Sequence, residues 1–158
     1  MNPFIFALRL GAALGLGAVI GLERQWRQRT TGLRTNALVS VGAAMFVIMG
    51  GLISGDGSQG RVAAYVVSGI GFLGGGVILK DGFNIRGLNT AATLWCTAAV
   101  GTLAALGQIG LAAVGTGAVL VSNLLLRPLA QGVSRASSTR RRNRRDDPEG
   151  DDGEVVRE

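Results

Sequence analysis

The sequence predicts an all-α protein: a polytopic transmembrane helical bundle of about five spans, with the N-terminus outside and the C-terminus in the cytoplasm. Three observations predict it. Apolar residues make up 47% of the 158 positions and gather into blocks of about 17 to 20 residues, the length at which a helix crosses a hydrocarbon core. Charges are crowded into the short stretches between those blocks. Several of the 26 glycines recur at four-residue spacing inside the blocks, which suits close helix packing in lipid.

The first block, Phe4–Leu22, lacks a basic leading segment and is followed by others, so it reads as a retained helix and not a secretory signal. Thr35–Ile53 and Val62–Leu79 supply the second and third spans. Thr90–Leu106 and Ile109–Leu126 supply the fourth and fifth. They meet at the uncharged turn Gly107-Gln108, compatible with two crossings or with one strongly bent unit. Residues 1–133 form the membrane domain. Residues 134–158 are Ser/Arg-rich, then Asp/Glu/Gly-rich, with no apolar periodicity to build a core, and read as a disordered charged cytoplasmic tail.

Orientation follows from the arginines, because short loops rich in Arg and Lys stay on the cytoplasmic side. The connector Glu23–Arg34 carries Arg24, Arg27, Arg29 and Arg34. The second connector offers Asp56 against Arg61, the third Lys80 and Arg86 against Asp81, and the fourth no charge, while Arg127 and Arg135 close the domain. Five crossings make this alternation consistent.

The formal net charge of +6 would suggest nucleic acid for a soluble chain. Here the tail from Arg135 balances its own charges, so the excess sits in the membrane connectors and reports topology, not a nucleic-acid partner. The run Arg140–Arg145 suits anionic lipid head groups at about 1 kcal/mol per cation, offset in part by the acidic run Asp146–Glu154. With no histidine and one cysteine, Cys96, there is no intrachain disulfide and no expected metal or cofactor. Glu23 with Asp81 is too thin a constellation for acid and base roles, so an enzyme is not expected.

Gly32-Leu-Arg-Thr-Asn-Ala37 echoes Gly87-Leu-Asn-Thr-Ala-Ala92, and Ala18-Val-Ile-Gly-Leu-Glu23 echoes Gly76-Val-Ile-Leu-Lys80. The first two spans and the next two thus read as a parallel repeat about an axis along the membrane normal. Gly69-Ile-Gly71-Phe-Leu-Gly74 matches the dinucleotide fingerprint literally. It lies inside an apolar span and lacks the acidic residue about 20 positions later that would hold a ribose, so Gly71 and Gly75, like Gly11/Gly15 and Gly17/Gly21, are read as helix-packing positions.

Arg9 lies inside the first span. Burial at mid-membrane costs about 2.5–3.5 kcal/mol, so it is expected to anchor outward at the head groups. At the opposite face, Thr35 and Thr90 begin spans two and four, where a hydroxyl caps orphan N–H groups. Two helix N-termini beside Arg24, Arg27, Arg34 and Arg86 would then favour an anion. Glu23 and Asp81 are expected to pair with arginines. Asn36, Asn89 and Thr93, with Ser40, Ser68, Thr97 and Thr102 deeper, can hydrogen-bond between helices at roughly 0.6 kcal/mol each. Cys96 should be an unreactive thiol.

In order, Gly21-Leu-Glu-Arg24, Gly32-Leu-Arg-Thr-Asn-Ala-Leu38, Ser68-Gly-Ile-Gly-Phe-Leu-Gly74 and Arg86-Gly-Leu-Asn-Thr-Ala-Ala-Thr-Leu-Trp-Cys96 resemble the membrane domain of the MgtC/SapB family. The resemblance implies a multi-pass protein of the bacterial cytoplasmic (inner) membrane, linked to growth at low magnesium and, in pathogens, to virulence. It also implies a regulator more than a magnesium transporter, with restraint of the membrane ATP synthase as one proposed role. The matching positions are Glu23, Arg24, Arg34, Thr35, Asn36, Arg86, Asn89, Thr90, Trp95 and Cys96. Longer relatives continue into a folded cytoplasmic domain, where this sequence shows the charged tail.

The leading expectation is therefore a regulator or adaptor acting through a membrane protein partner, in contact with the bilayer and its anionic head groups, and compatible with a homo-oligomer. The rival is a transporter or channel for Mg2+ or another small ion. A hard cation usually takes one or two carboxylates, and no span interior carries Asp or Glu.

Overall fold

The computed structural model describes residues 1–54, 58–81 and 84–125, in two units, Met1–Leu120 and Val121–Glu158. Of the second unit the described residues, 121–125, are the last of a helix. The expected tail at 134–158, its lipid-facing arginine run, and Asp56, Arg127 and Arg135 lie outside the described residues, as do the side chains of Lys80 and Asp81.

Helix α1 runs Pro3–Trp26. Asn2 Oδ1 accepts the Phe4 N–H at 2.9 Å, and Pro3 occupies the first turn, where its missing N–H has no partner to lose. The helix continues a full turn past Leu22, so Glu23 and Arg24 stand on its last turn and not in a loop. It ends in a Schellman motif: Gln28, at φ 53, donates to Gln25 O at 2.9 Å, and Arg29 donates to Arg24 O at 3.0 Å.

Helix α2, Leu33–Ser54, starts two residues before Thr35. Its first N–H, that of Leu33, is received by Gln25 Oε1 of α1 at 3.1 Å. The expected cap at Thr35 is thus corrected, since a side chain from the preceding helix already does this work. Helix α3, Ser58–Gly76, opens with the Ser58 hydroxyl donating to Gly50 O and stops three residues short of Leu79. Leu79 instead opens β1 (Leu79–Asp81), which pairs antiparallel with β2 (Asn84–Arg86) in the register Leu79↔Arg86. This small hairpin replaces the plain loop expected there.

Helix α4, Leu88–Ala105, follows Gly87, which is left-handed at φ 93 and makes no side-chain cap. A Cβ there would run into the Val77 carbonyl, so glycine is required twice over. The second expected cap, Thr90, is corrected too: its hydroxyl is engaged elsewhere. The C-terminus of α4 closes on Gly107 at φ 79, with Gly107 N–H to Ala104 O and Gln108 N–H to Leu103 O, both 3.0 Å. Helix α5 then covers Ile109–Leu125, so the Gly107-Gln108 turn separates two helices.

The described residues thus form an all-α bundle of five helices with one hairpin. Pro3–Trp26 and Leu33–Ile53 are long and apolar enough to cross a membrane, on length and composition. Helix α4 packs against α1, α2 and α3. The core is built largely from small side chains, Ala13, Ala44, Ala104, Ala105 and, from α5, Ala112, around Ile20, Val47, Ile48 and Val100, which lets the backbones come close. Gly17 and Gly101 show this most clearly: a Cβ on Gly17 would lie 2.6 Å from Ser40 Cβ, and one on Gly101 would strike the Ser40 backbone. By contrast Gly11, Gly15, Gly71 and Gly75 meet nothing within 4 Å, and their expected role as contacts within this chain is corrected.

Both echoing segments open helices, α2 at Leu33 and α4 at Leu88. They turn different faces inward, however. Thr35 is exposed and Asn36 buried, whereas Thr90 is buried and Ala91 half-buried. Upstream, α1 continues through Glu23 while α3 ends at Gly76, so that half of the echo has no structural counterpart.

Candidate functional site

Among the described residues, Arg24 is the charged side chain that is buried, at 3% exposure. It lies where the C-terminal turn of α1 meets the N-terminal turns of α2 and α4. Its guanidinium Nη2 donates to Thr90 Oγ1 at 2.7 Å and to Thr31 Oγ1 at 3.4 Å; Nη1 donates to Thr93 Oγ1 at 3.4 Å, and Nε to Thr31 O at 3.5 Å. The Thr90 bond is the strong one by length; the others are long and weaker. Two threonines one helical turn apart on α4 thus receive the planar fork, a geometry a lysine could not match.

The seam continues deeper. Asn36 Nδ2 donates to Gly32 O at 2.9 Å and Thr31 O at 3.3 Å, while its Oδ1 accepts from Thr97 Oγ1 at 3.0 Å. Thr97 shares its single proton between Asn36 Oδ1 and Thr93 O, the latter at 2.9 Å. One turn further, the Ser40 hydroxyl is fully buried with no hydrogen-bond partner among the described residues. Arg24, Thr31, Thr90, Thr93, Asn36, Thr97 and Ser40 therefore form one polar strip between α1, α2 and α4. It is closed at its inner end by the Gly17 and Gly101 backbones.

This arrangement corrects the expected anion site in part. Arg24 is enclosed and committed to neutral oxygens, and Arg27 pairs with Glu23 at 2.9 Å, as the expectation of an arginine pairing for Glu23 held. Arg34, Thr35, Arg86 and Asn89 remain exposed at the same end of the bundle. Asn89 contributes its carbonyl, accepting Thr93 Oγ1 at 2.8 Å. Trp95 is 49% exposed and Cys96 partly buried, both away from the seam's hydrogen bonds. Of the ten positions singled out in the sequence, the structure joins Arg24, Asn36 and Thr90 in one network through their side chains and Asn89 through its carbonyl, and leaves the others around it.

Thr31 was not among those positions, although it supplies two acceptors. Its only signal was a hydroxyl residue in the connector just before the Gly32-Leu33 helix start. Arg9 is half-buried and donates through Nη1 to Ala105 O at 2.8 Å, satisfying one of the orphan carbonyls at the α4 C-terminus beside the Gly107-Gln108 turn, where a cation also suits the helix dipole.

Between α2 and α3 lies a second feature, an open groove of about 920 Å³ with Ala98 of α4 in its wall. Arg34 and Thr35 line one end, and the remaining lining is mostly apolar. The structure gives the Arg34 side chain no hydrogen bond or ion pair among the described residues.

The site is thus a close-packed helical bundle tied at one end by a buried arginine on threonine hydroxyls and ringed there by exposed cations. The chain belongs to the MgtC family, whose model matches residues 10–131. It is 62% identical over 122 residues to Protein MgtC of Brucella abortus, covering 77% of this chain and 51% of that protein. It is 57% identical over 134 residues to Protein MgtC of Salmonella typhimurium, covering 85% and 58%, and 59% identical over 127 residues to an uncharacterized protein of Synechocystis, covering 80% and 54%. The chain spans about half the length of these curated relatives. No solved structure matches it. The resemblance carried by the four motifs is borne out.

Proposed function

We propose that this chain is a five-span protein of the bacterial cytoplasmic membrane, N-terminus outside and arginine-bearing end in the cytoplasm. It acts as a regulator or adaptor in adaptation to low magnesium and not as an enzyme. Its work is done through a membrane protein partner, for which the family resemblance makes the ATP synthase the first candidate. Outward-facing Phe4, Tyr65, Phe72 and Val114, each more than 70% exposed, support a lipid environment, since soluble surfaces rarely carry such apolar patches.

The observation that carries the regulatory reading is Arg24. A cation passing between α1, α2 and α4 would meet a buried guanidinium hydrogen-bonded to neutral oxygens, and then the closed Ser40 crossing. A rigid end with exposed Arg34, Thr35, Arg86 and Asn89 suits docking better than conduction. In-cell crosslinking at low magnesium, with wild type and an Arg34→Glu/Arg86→Glu variant, tests it. The expected result is one membrane complex recovered with the wild type and lost in the variant. Recovery of none, with normal growth of a deletion strain at low magnesium, would overturn it.

A second reading keeps one observation in its favour: the polar groups from Thr93 to Ser40 converge on a single seam, as an ion path requires. Mg2+ flux into proteoliposomes that disappears in an Asn36→Ala variant would promote transport over regulation.

A further inference from the structure

We propose that the groove between α2 and α3 is a binding site for a single anionic phospholipid of the leaflet at the arginine-bearing end. This rests on the membrane placement above, not on the identity of any protein partner. The groove is built from one stripe of each helix: Arg34, Leu38 and Phe46 on α2 face Tyr65 and Leu73 on α3, with Ala98 of α4 between them. Its space comes from missing side chains, because Gly42 and Gly69 line it and a Cβ on either would meet nothing within 4 Å.

Length and charge identify the occupant. From Arg34 to Phe46 the groove follows α2 for about 18 Å at 1.5 Å per residue. That is close to one leaflet of a hydrocarbon core about 30 Å thick. Among the described residues the one cation lining it stands at the helix start, at head-group depth, with an exposed hydroxyl, that of Thr35, beside it; the walls below are apolar. An acyl chain in the groove with its phosphate at Arg34 satisfies both ends at once. An apolar protein helix laid along the same walls would bring no anion to Arg34.

The test reconstitutes the full chain into nanodiscs of equal phosphatidylglycerol and phosphatidylethanolamine, extracts it in mild detergent, and counts retained lipid by native mass spectrometry. One cation near an anionic head group corresponds to roughly fivefold preference, so the expected result is phosphatidylglycerol retained about fivefold over phosphatidylethanolamine. Arg34→Gln should bring that ratio close to one. Gly69→Trp should lower retention of both lipids, and Gly42→Leu should do so where Gly69→Trp disturbs elution of the protein. Gly71→Trp, on the open face of α3, should change nothing.

Equal retention of the two lipids by the wild type, or a ratio untouched by Arg34→Gln, would overturn the site. So would a photoreactive residue at Leu38 that captures a second copy or another protein in cells and no lipid. Selective lipid retention without any crosslinked membrane complex would remove the regulatory reading and leave this site standing. A captured complex without lipid selectivity would do the reverse.

Discussion

Arg24 on α1 donates to the hydroxyl of Thr90 on α4 across 2.7 Å, although 66 residues separate them in the chain. The bond ties the end of the first helix to the start of the fourth through a charge that is nearly sealed from solvent. Removing the acceptor leaves a guanidinium buried and short of a partner, and hydrogen bonds to charged groups contribute about 1.5–3 kcal/mol. Thr90→Val should therefore lower stability by about 2 kcal/mol, read as a fall in melting temperature in detergent. Arg24→Lys should behave similarly, because a point charge cannot serve Thr31, Thr90 and Thr93 together. In an Arg24→Met/Thr90→Val cycle the two losses should fail to add by about 1 kcal/mol or more.

Glycine positions divide into two groups that substitution should separate sharply. Gly101→Ala pushes a methyl into the Ser40 backbone, and Gly17→Ala one into its side chain; overpacking of this kind costs about 1–3 kcal/mol. Gly71→Ala and Gly75→Ala project into open space and gain helix propensity of up to about 1 kcal/mol. Melting of the four variants in one detergent should give two destabilised and two unchanged or improved proteins.

Much of the bundle was legible in the sequence because apolar length and charge placement are one-dimensional signals. The helices that begin near Phe4, Thr35 and Ile109, the break at Gly107 and the pairing tendency of Glu23 could all be read that way. The seam could not. Whether Thr35 or Thr90 faces inward depends on helix rotation set by Gly17 and Gly101, and two similar segments, Gly32–Ala37 and Gly87–Ala92, were resolved to opposite faces only by packing. The hairpin at Leu79–Arg86 escaped because three-residue strands leave no alternation to detect. The acceptor of Arg9, Ala105 O, could not be read either, because it lies 96 residues away.

At the other end of the bundle, Arg9→Met should loosen α4 against α1 by removing the charge-assisted bond to Ala105 O, at a cost of about 1.5–3 kcal/mol. The variant should show faster amide exchange at Gly107 and Gln108, with exchange at Thr90 and Thr93 unchanged. Loss of protection at both ends together would argue that the two ties are not independent.

Functional variants should separate from structural ones. Arg34→Glu and Arg86→Glu alter exposed side chains, so melting temperature should stay within the range of surface substitutions, about 0.5 kcal/mol either way. Growth at low magnesium should nevertheless fall toward that of a deletion strain. Thr90→Val, by comparison, should lower stability and growth together.

Cysteine accessibility in intact cells tests the central placement most directly. In a Cys96→Ser background, Thr30→Cys sits at the arginine-bearing end and Gln108→Cys at the turn between α4 and α5, both exposed. A membrane-impermeant maleimide should label position 108 from outside and reach position 30 only after the cells are permeabilised. Labelling of both positions from outside, of neither, or in the opposite order would contradict a bundle embedded with its arginine end in the cytoplasm.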